Sequence, residues 1–186
     1  LGASFGAFSQ PANDACSDSE RLCASQPLQG TTTAATVDAA SDLDFCTVNT
    51  ATVWYHFTTN SSGGNVTVDF TNMVFNPGAT YGQTIDAIIY SATTPCVQGT
   101  MNPASACGNS NTDFNITTFA ALNPNTTYYV MVNGNTGGMA NSAECDFTIE
   151  ISGPAVDATF PTASISTMDS ILCEGDDVPV ETIIAN

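Results

Sequence analysis

Thr52-Val53-Trp54-Tyr55-His56-Phe57 sets large side chains on both faces of an extended segment. A strand with one wet face alternates apolar and polar residues, so a stretch that is bulky on both faces belongs inside a sandwich. Residues 60–64, made of Asn, Ser and Gly, supply a turn. Residues 65–70 then alternate Val66, Val68 and Phe70 against Thr67 and Asp69, the pattern of a strand with one solvated face. The two strands read together as a hairpin.

The same β character runs on. Residues 85–90 form a short apolar strand, 114–119 a weaker one, and 126–132 (Thr-Thr-Tyr-Tyr-Val-Met-Val) the strongest β run in the chain. Residues 133–138 read as a loop. Residues 145–151 alternate Cys, Phe, Ile and Ile against Asp, Thr and Glu, and end at Ser152, Gly153 and Pro154. Residues 17–22 offer at most one short helical turn capped by Ser or Asp. The chain is therefore expected to be all-β, with a sandwich domain over residues 11–153. A linker spans 154–168, and a second, truncated β pattern occupies 169–186. Residues 1–10 read either as a leader remnant or as an extended N-terminal strand, since Leu1, Ala3, Phe5 and Ala7 alternate with other residues.

The chain has 186 residues, 42% of them apolar, including ten Phe, which suffices for a core. Its charge is lopsided because bases are missing: Arg21 is the only one, against 18 carboxylates, for a formal charge of −17. Phosphate backbones and anionic membranes are held by arrays of Lys and Arg, so neither is an expected partner. No apolar run reaches the roughly 18 residues a membrane-spanning helix needs.

Seven cysteines stand at Cys16, Cys23, Cys46, Cys96, Cys107, Cys145 and Cys173, with no CxxC pair. His56 is the only histidine, so zinc would have to be held by cysteines alone at spacings zinc modules do not use. Disulfides in an oxidising compartment account for them better, and the protein is expected outside the cell or on its surface. The stretch between Cys96 and Cys107 contains Gly99, Asn102 and Pro103 and looks like a loop between strands, so these two are expected to pair. Cys46 with Cys145 and Cys16 with Cys23 are the further expected pairs.

Nucleophilic catalysis by a Ser or Cys with a histidine base would have to use His56, which sits inside a strand, and neither Gly-x-Ser-x-Gly nor His-Glu-x-x-His occurs. No enzyme is expected. Calcium takes oxygen ligands from loop acids and amides, and Asn13, Asp14, Asp38, Asp42, Asp44 and Asp86 are the candidate ligands of a structural Ca²⁺. Asn-x-Ser/Thr sequons at Asn60, Asn65, Asn115 and Asn125 are no more frequent than the abundance of Asn, Ser and Thr produces by chance.

Pro11-Ala12-Asn13-Asp14-Ala15-Cys16, the strand Val53-Trp54-Tyr55-His56-Phe57, Ile85-Asp86-Ala87-Ile88-Ile89-Tyr90 followed by Cys96 and Cys107, and residues 122–132 form an ordered set. Together they resemble the pre-peptidase C-terminal-like β-sandwich modules of large secreted and surface proteins, especially those exported by the type IX pathway. Ile171-Leu172-Cys173-Glu174-Gly175-Asp176-Asp177 is similar to the opening of the Ig-like or PKD-like repeats that follow such modules. The resemblance implies a jelly-roll-like sandwich of two antiparallel sheets, sometimes carrying Ca²⁺, in a non-catalytic role. It also gives meaning to Asp169-Ser170-Ile171, a short O-glycosylation pattern that would modify Ser170. Cys23 and the near absence of bases depart from the usual pattern.

Three roles follow as expectations. The first is a structural or adhesive module of a secreted cell-surface protein, whose partners are other domains of the same long chain or neighbouring subunits. The second is a fibre subunit that polymerises by strand addition. The third is a carbohydrate-binding accessory domain of a secreted hydrolase, which an exposed Tyr or Trp platform would favour.

Overall fold

The computed structural model describes residues 9–38, 46 and 48–157. Among them the chain forms ten strands and no α-helix, in two facing sheets. The strands are β1 (Glu20–Arg21), β2 (Leu28–Thr31), β3 (Thr52–Thr58), β4 (Thr67–Phe75), β5 (Thr84–Ala92), β6 (Met101–Pro103), β7 (Gly108–Ser110), β8 (Phe114–Thr117), β9 (Thr127–Asn135) and β10 (Cys145–Ser152). The larger sheet runs β1-β3-β9-β5-β6, with β7 also on β5, and the smaller runs β2-β10-β4-β8. All pairs are antiparallel except β1 with β3, which is parallel, so the larger sheet is mixed where two purely antiparallel sheets were expected.

Period-two alternation divides the larger sheet into two buried faces. Val53, Tyr55 and Phe57 of β3, Ile85, Ala87 and Ile89 of β5, and Tyr128, Val130 and Val132 of β9 point inward. They meet Val66, Val68, Phe70, Phe147, Ile149 and Ile151 from the smaller sheet's side. The alternate residues Trp54, Ile88, Tyr90, Tyr129 and Met131 form a second apolar core on the outer face, with Cys16 and Met101. This is why residues 52–57 are bulky on both sides.

β3 and β4 are not a hairpin. They lie in different sheets, and the segment between them crosses the sandwich, so that two apolar faces cover each other instead of lying side by side. β4 also continues past residue 70. At Asn72, whose φ is +54°, the register against β10 slips by one residue, so that after Val68 and Phe70 the inward positions become Met73 and Phe75. Asn tolerates this left-handed backbone better than most residues, and the extra residue is a β-bulge.

The chain links the two sheets on both flanks. On one side the chain leaves β1 in the larger sheet, turns at Cys23–Gln26 and enters β2 in the smaller sheet. On the other, Ser105 bridges Thr118, and the Phe119 amide donates to the Ala104 carbonyl at 2.9 Å. The expected short turn at 17–22 is a 3-10 turn at Cys16–Asp18, because residues 20–22 extend along the edge of β3 instead. The expected loop at 133–138 begins later, since β9 runs through Asn135. The turn after β10 still packs on the core, with Ala155 fully buried.

The cysteine pairing differs from expectation. Cys16 bonds Cys96, and Cys46 bonds Cys107, each with Cα atoms 5.5 Å apart. Cys96 and Cys107 cannot meet because the chain between them runs back along β5. β6 pairs with Tyr90–Ala92 and β7 with Ile85–Ala87, which separates the two ends by five strand residues, about 17 Å. Cys145 lies in the inner core and is a free thiol, while Cys46 packs on the outer core, so the sheet stands between them. Cys23 is disulfide-bonded, but not to Cys16, from which the extended β1 separates it. Ser170, Cys173, Asp42, Asp44, residues 1–8 of the expected segment 1–10, residues 158–168 of the expected linker 154–168, and the expected segment 169–186 lie outside the described residues.

Gly30 of β2 stands opposite Phe147, and a Cβ there would overlap the Tyr55 hydroxyl and the Phe147 ring. The edge-on contact of those rings, 6.5 Å between centroids, therefore requires glycine. Gly30→Val is expected to cost about 1–3 kcal/mol by overpacking, read as a lower midpoint in denaturant at unchanged slope. Peptide mapping under non-reducing conditions should recover the Cys16–Cys96 and Cys46–Cys107 links.

Candidate functional site

The outer face of the larger sheet is ordered in rows set by strand register. At one end the row is polar: Thr52, Asn133, Asp86 and Asn109 stand side by side on β3, β9, β5 and β7. The middle row is Trp54, Met131 and Ile88. The third row is Arg21, His56, Tyr129 and Tyr90, from β1, β3, β9 and β5.

Asp86 interrupts an apolar strand and is 1% exposed, so its carboxylate must find donors inside the protein. Amide groups of Asn109, Asn133 (3.3 Å) and Asn135 (3.1 Å) donate to it. The orientation of two of these amides is fixed from behind. The Asn133 Oδ1 accepts the backbone N–H groups of Thr50 and Ala51, and the Asn135 Oδ1 accepts that of Gly137, so both present nitrogen to Asp86. The arrangement satisfies an anion and ties residues 50–51 to the sheet.

Three of the other candidate calcium ligands lie among the described residues. Asn13 donates to the Trp54 carbonyl at 2.9 Å. Asp14 accepts from the backbone and hydroxyl of Thr36, and Asp38 accepts from the Cys16 amide at 2.8 Å. These bonds fasten the N-terminal segment to residues 36–38. Among the described residues no three His, Cys, Asp or Glu side chains come together as a metal-holding group.

At the opposite end of the face lies an open cleft of about 600 Å³. Ser17, Ser19, Arg21, His56, Thr127 and Tyr129 supply its polar wall, and Cys16, Pro95 and Cys96 its rim, where the Cys16–Cys96 disulfide joins the 3-10 turn to the loop after β5. The chain's only arginine and only histidine are thus neighbours, held so by the parallel pairing of Arg21 with His56. His56 Nδ1 lies 3.0 Å from Ser19 Oγ. The ring lies 6.3 Å from that of Tyr129.

The stacking platform that carbohydrate binding would favour is not formed by the tryptophan or by four of the five tyrosines, all of which are buried. Tyr81 alone is partly exposed, in a second hollow of about 380 Å³ with Thr50, Asn141 and Glu144. Cys145 is the remaining group of chemical interest. Burial pushes its thiol up to about 12, which keeps it protonated and unreactive.

The two disulfides point to a non-cytoplasmic compartment. No helix among the described residues is long and apolar enough to cross a membrane. No family model matches the sequence, and neither does any curated protein.

Asp86 was legible as a notable residue, being an acid within an apolar run, but its amide partners were not. The Arg21–His56 cleft was not anticipated. It depends on a two-residue parallel strand, for which the sequence carries no pattern.

Replacing Asp86 by Ala would take the acceptor from the buried Asn133 amide and from the less buried Asn135 and Asn109 amides, and loosen the hold on residues 50–51, at an expected cost of about 1–3 kcal/mol in denaturant unfolding. For His56, burial is the main cause lowering its pKa from the usual 6.5; the Ser19 bond opposes this and the Arg21 charge adds to it. Below pH 6.5 the unfolded chain therefore binds the proton more readily than the folded one, and stability falls as the solution is acidified through the folded pKa. His56→Gln should flatten that part of the stability–pH curve.

Proposed function

We propose that the chain is a non-catalytic structural or adhesive module of a secreted cell-surface protein. The observation that carries this reading is the outer core of the larger sheet, with the disulfides Cys16–Cys96 and Cys46–Cys107 packed against it. Two covalent links hold the connecting segments to a sheet already buried on its other face, an arrangement suited to persistence outside the cell. The ordered motifs that resemble pre-peptidase C-terminal-like modules support the same reading, as does the high negative charge, which keeps an exposed module soluble.

Assembly by strand addition is a second reading, favoured by the edges of the smaller sheet. Among the described residues no strand pairs with the outer edge of β2, and β8 covers β4 only over residues 67–70. Beyond that point Val74 is 65% exposed. An open strand edge with apolar surface is where a further strand adds.

Immunogold electron microscopy of native cells with an antibody to this chain tests both readings. Label on the cell envelope or on appendages is expected, and regular label along filaments would select the fibre subunit. Label confined to the cytoplasm, or chain recovered only as a free monomer in the medium, would overturn the proposal.

A further inference from the structure

We propose that the second hollow, of about 380 Å³ beside Tyr81, binds a primary alkylammonium group, the end of a lysine side chain presented by a partner. The inference gives the adhesive form of the surface module a partner chemistry and rests on that reading for its setting. Its first support is the lining. Among the described residues, Tyr81 and Glu144 share the hollow with Ala34, Ala35, Ala51 and Ala140. A lysine side chain has an apolar stem and a charged end. Methyl groups beside a tyrosine ring suit the stem, and the ring and a carboxylate both suit the ammonium. Ala34 holds φ at +59°, in the left-handed region that glycine or asparagine occupies with less strain, yet its position lines the hollow. Strain of this kind gathers at ligand clamps.

The second support is the way ring and carboxylate are positioned. Asn76 holds Glu144 twice: its side-chain amide donates to Oε2 at 2.7 Å, and its backbone N–H donates to the Glu144 carbonyl at 2.8 Å. A carboxylate has about four lone-pair sites, so Asn76 orients Glu144 without saturating it. The Asn76 Oδ1 in turn accepts the Gly78 N–H at 3.0 Å. The Tyr81 ring packs against Gly78, where a Cβ would stand 2.9 Å from the ring carbon Cδ2. Asn141, also in the lining, ties the two loops together. Its N–H donates to the Thr80 carbonyl and its carbonyl accepts the Gly82 N–H, each at 3.0 Å. Both groups are therefore in place before a ligand arrives, and little freedom is lost on binding.

The third support is charge. A formal charge of −17 draws cations toward the chain, and the Glu144 carboxylate gives them one defined place in the hollow. The 186 residues include no lysine, so the group comes from outside them.

The test uses Tyr81 as its own reporter, since the other four tyrosines are buried and photo-CIDNP NMR enhances only rings that solvent reaches. Nα-acetyl-lysine methylamide is titrated into the intact chain at pH 7. The references are sodium chloride at matched ionic strength and the same compound acetylated at Nε, which keeps the stem and loses the charge. A saturable loss of the Tyr81 signal with the charged compound alone is expected, at about 1–10 millimolar. Glu144→Gln, which can still accept from Asn76, should weaken binding at least about tenfold. Ala140→Leu, which fills the hollow from an exposed position, should weaken it by a similar factor. Lack of a saturable loss, an equal loss with sodium chloride or the acetylated compound, or unchanged affinity in either folded variant would overturn the proposal. The titration is made on the isolated chain, so its failure leaves the surface localisation standing, and failure of that localisation leaves the titration standing.

Discussion

The β3–β9–β5 ladder is buried on both faces, and the rest of the structure follows from the need to cover it. Seven residues of β3 pair with β9, and eight of β9 pair with β5, so the backbone of this ladder is satisfied within the sheet. Its side chains are not satisfied until two apolar layers close over them. The smaller sheet provides one layer. The other is made of irregular segments around Cys16, Cys46 and Cys96. Loops have less cooperative hydrogen bonding than a sheet to hold them in place, and that is where the Cys16–Cys96 and Cys46–Cys107 disulfides are found.

The polar groups on the outer face obey the same constraint. An acid at position 86 is tolerable only because neighbouring strands bring Asn109 and Asn133 beside it, and because backbone donors turn two of the three amides the right way. Buried ionised groups without such partners are strongly disfavoured. The network therefore acts as a register mark. A one-residue slip of β5 against β9 would carry Asp86 into the inner core and set Asn133 against aliphatic side chains. At the other end of the face β1 turns Arg21 toward the cleft and Glu20 to its other side.

Strand content was largely legible in the sequence, since β3, β5, β9 and β10 carry dense β-branched and aromatic runs within three residues of their observed bounds. The partnerships were not. Alternation tells which residues share a face, but it does not say whether two successive strands lie side by side or across a sandwich, and so β3 and β4 were misread as a hairpin. β2 was missed because Leu28-Gln29-Gly30-Thr31 has one large apolar side chain and a glycine chosen for what it leaves empty. β4 was cut short because the bulge at Asn72 breaks the period of two. Disulfide pairing failed for a related reason: spacing in sequence suggested a closed loop, while β6 and β7 lay the same residues out along β5. The partners of Asp14 and Asp38, which accept from Thr36 and from the Cys16 amide, were likewise not legible, because they lie 22 residues away in sequence.

The central claim is that the disulfides hold the outer layer over the sheet, and Trp54 reports on it directly, as the chain's only tryptophan and a fully buried residue on the sheet face beneath that layer. Its fluorescence and its quenching by acrylamide can be followed while the disulfides are reduced, with reduction confirmed by thiol counting. The account predicts a red shift and a gain in quenching as Cys16–Cys96 and Cys46–Cys107 open. Trp54 emission that stays blue and shielded after both bonds are reduced would contradict it.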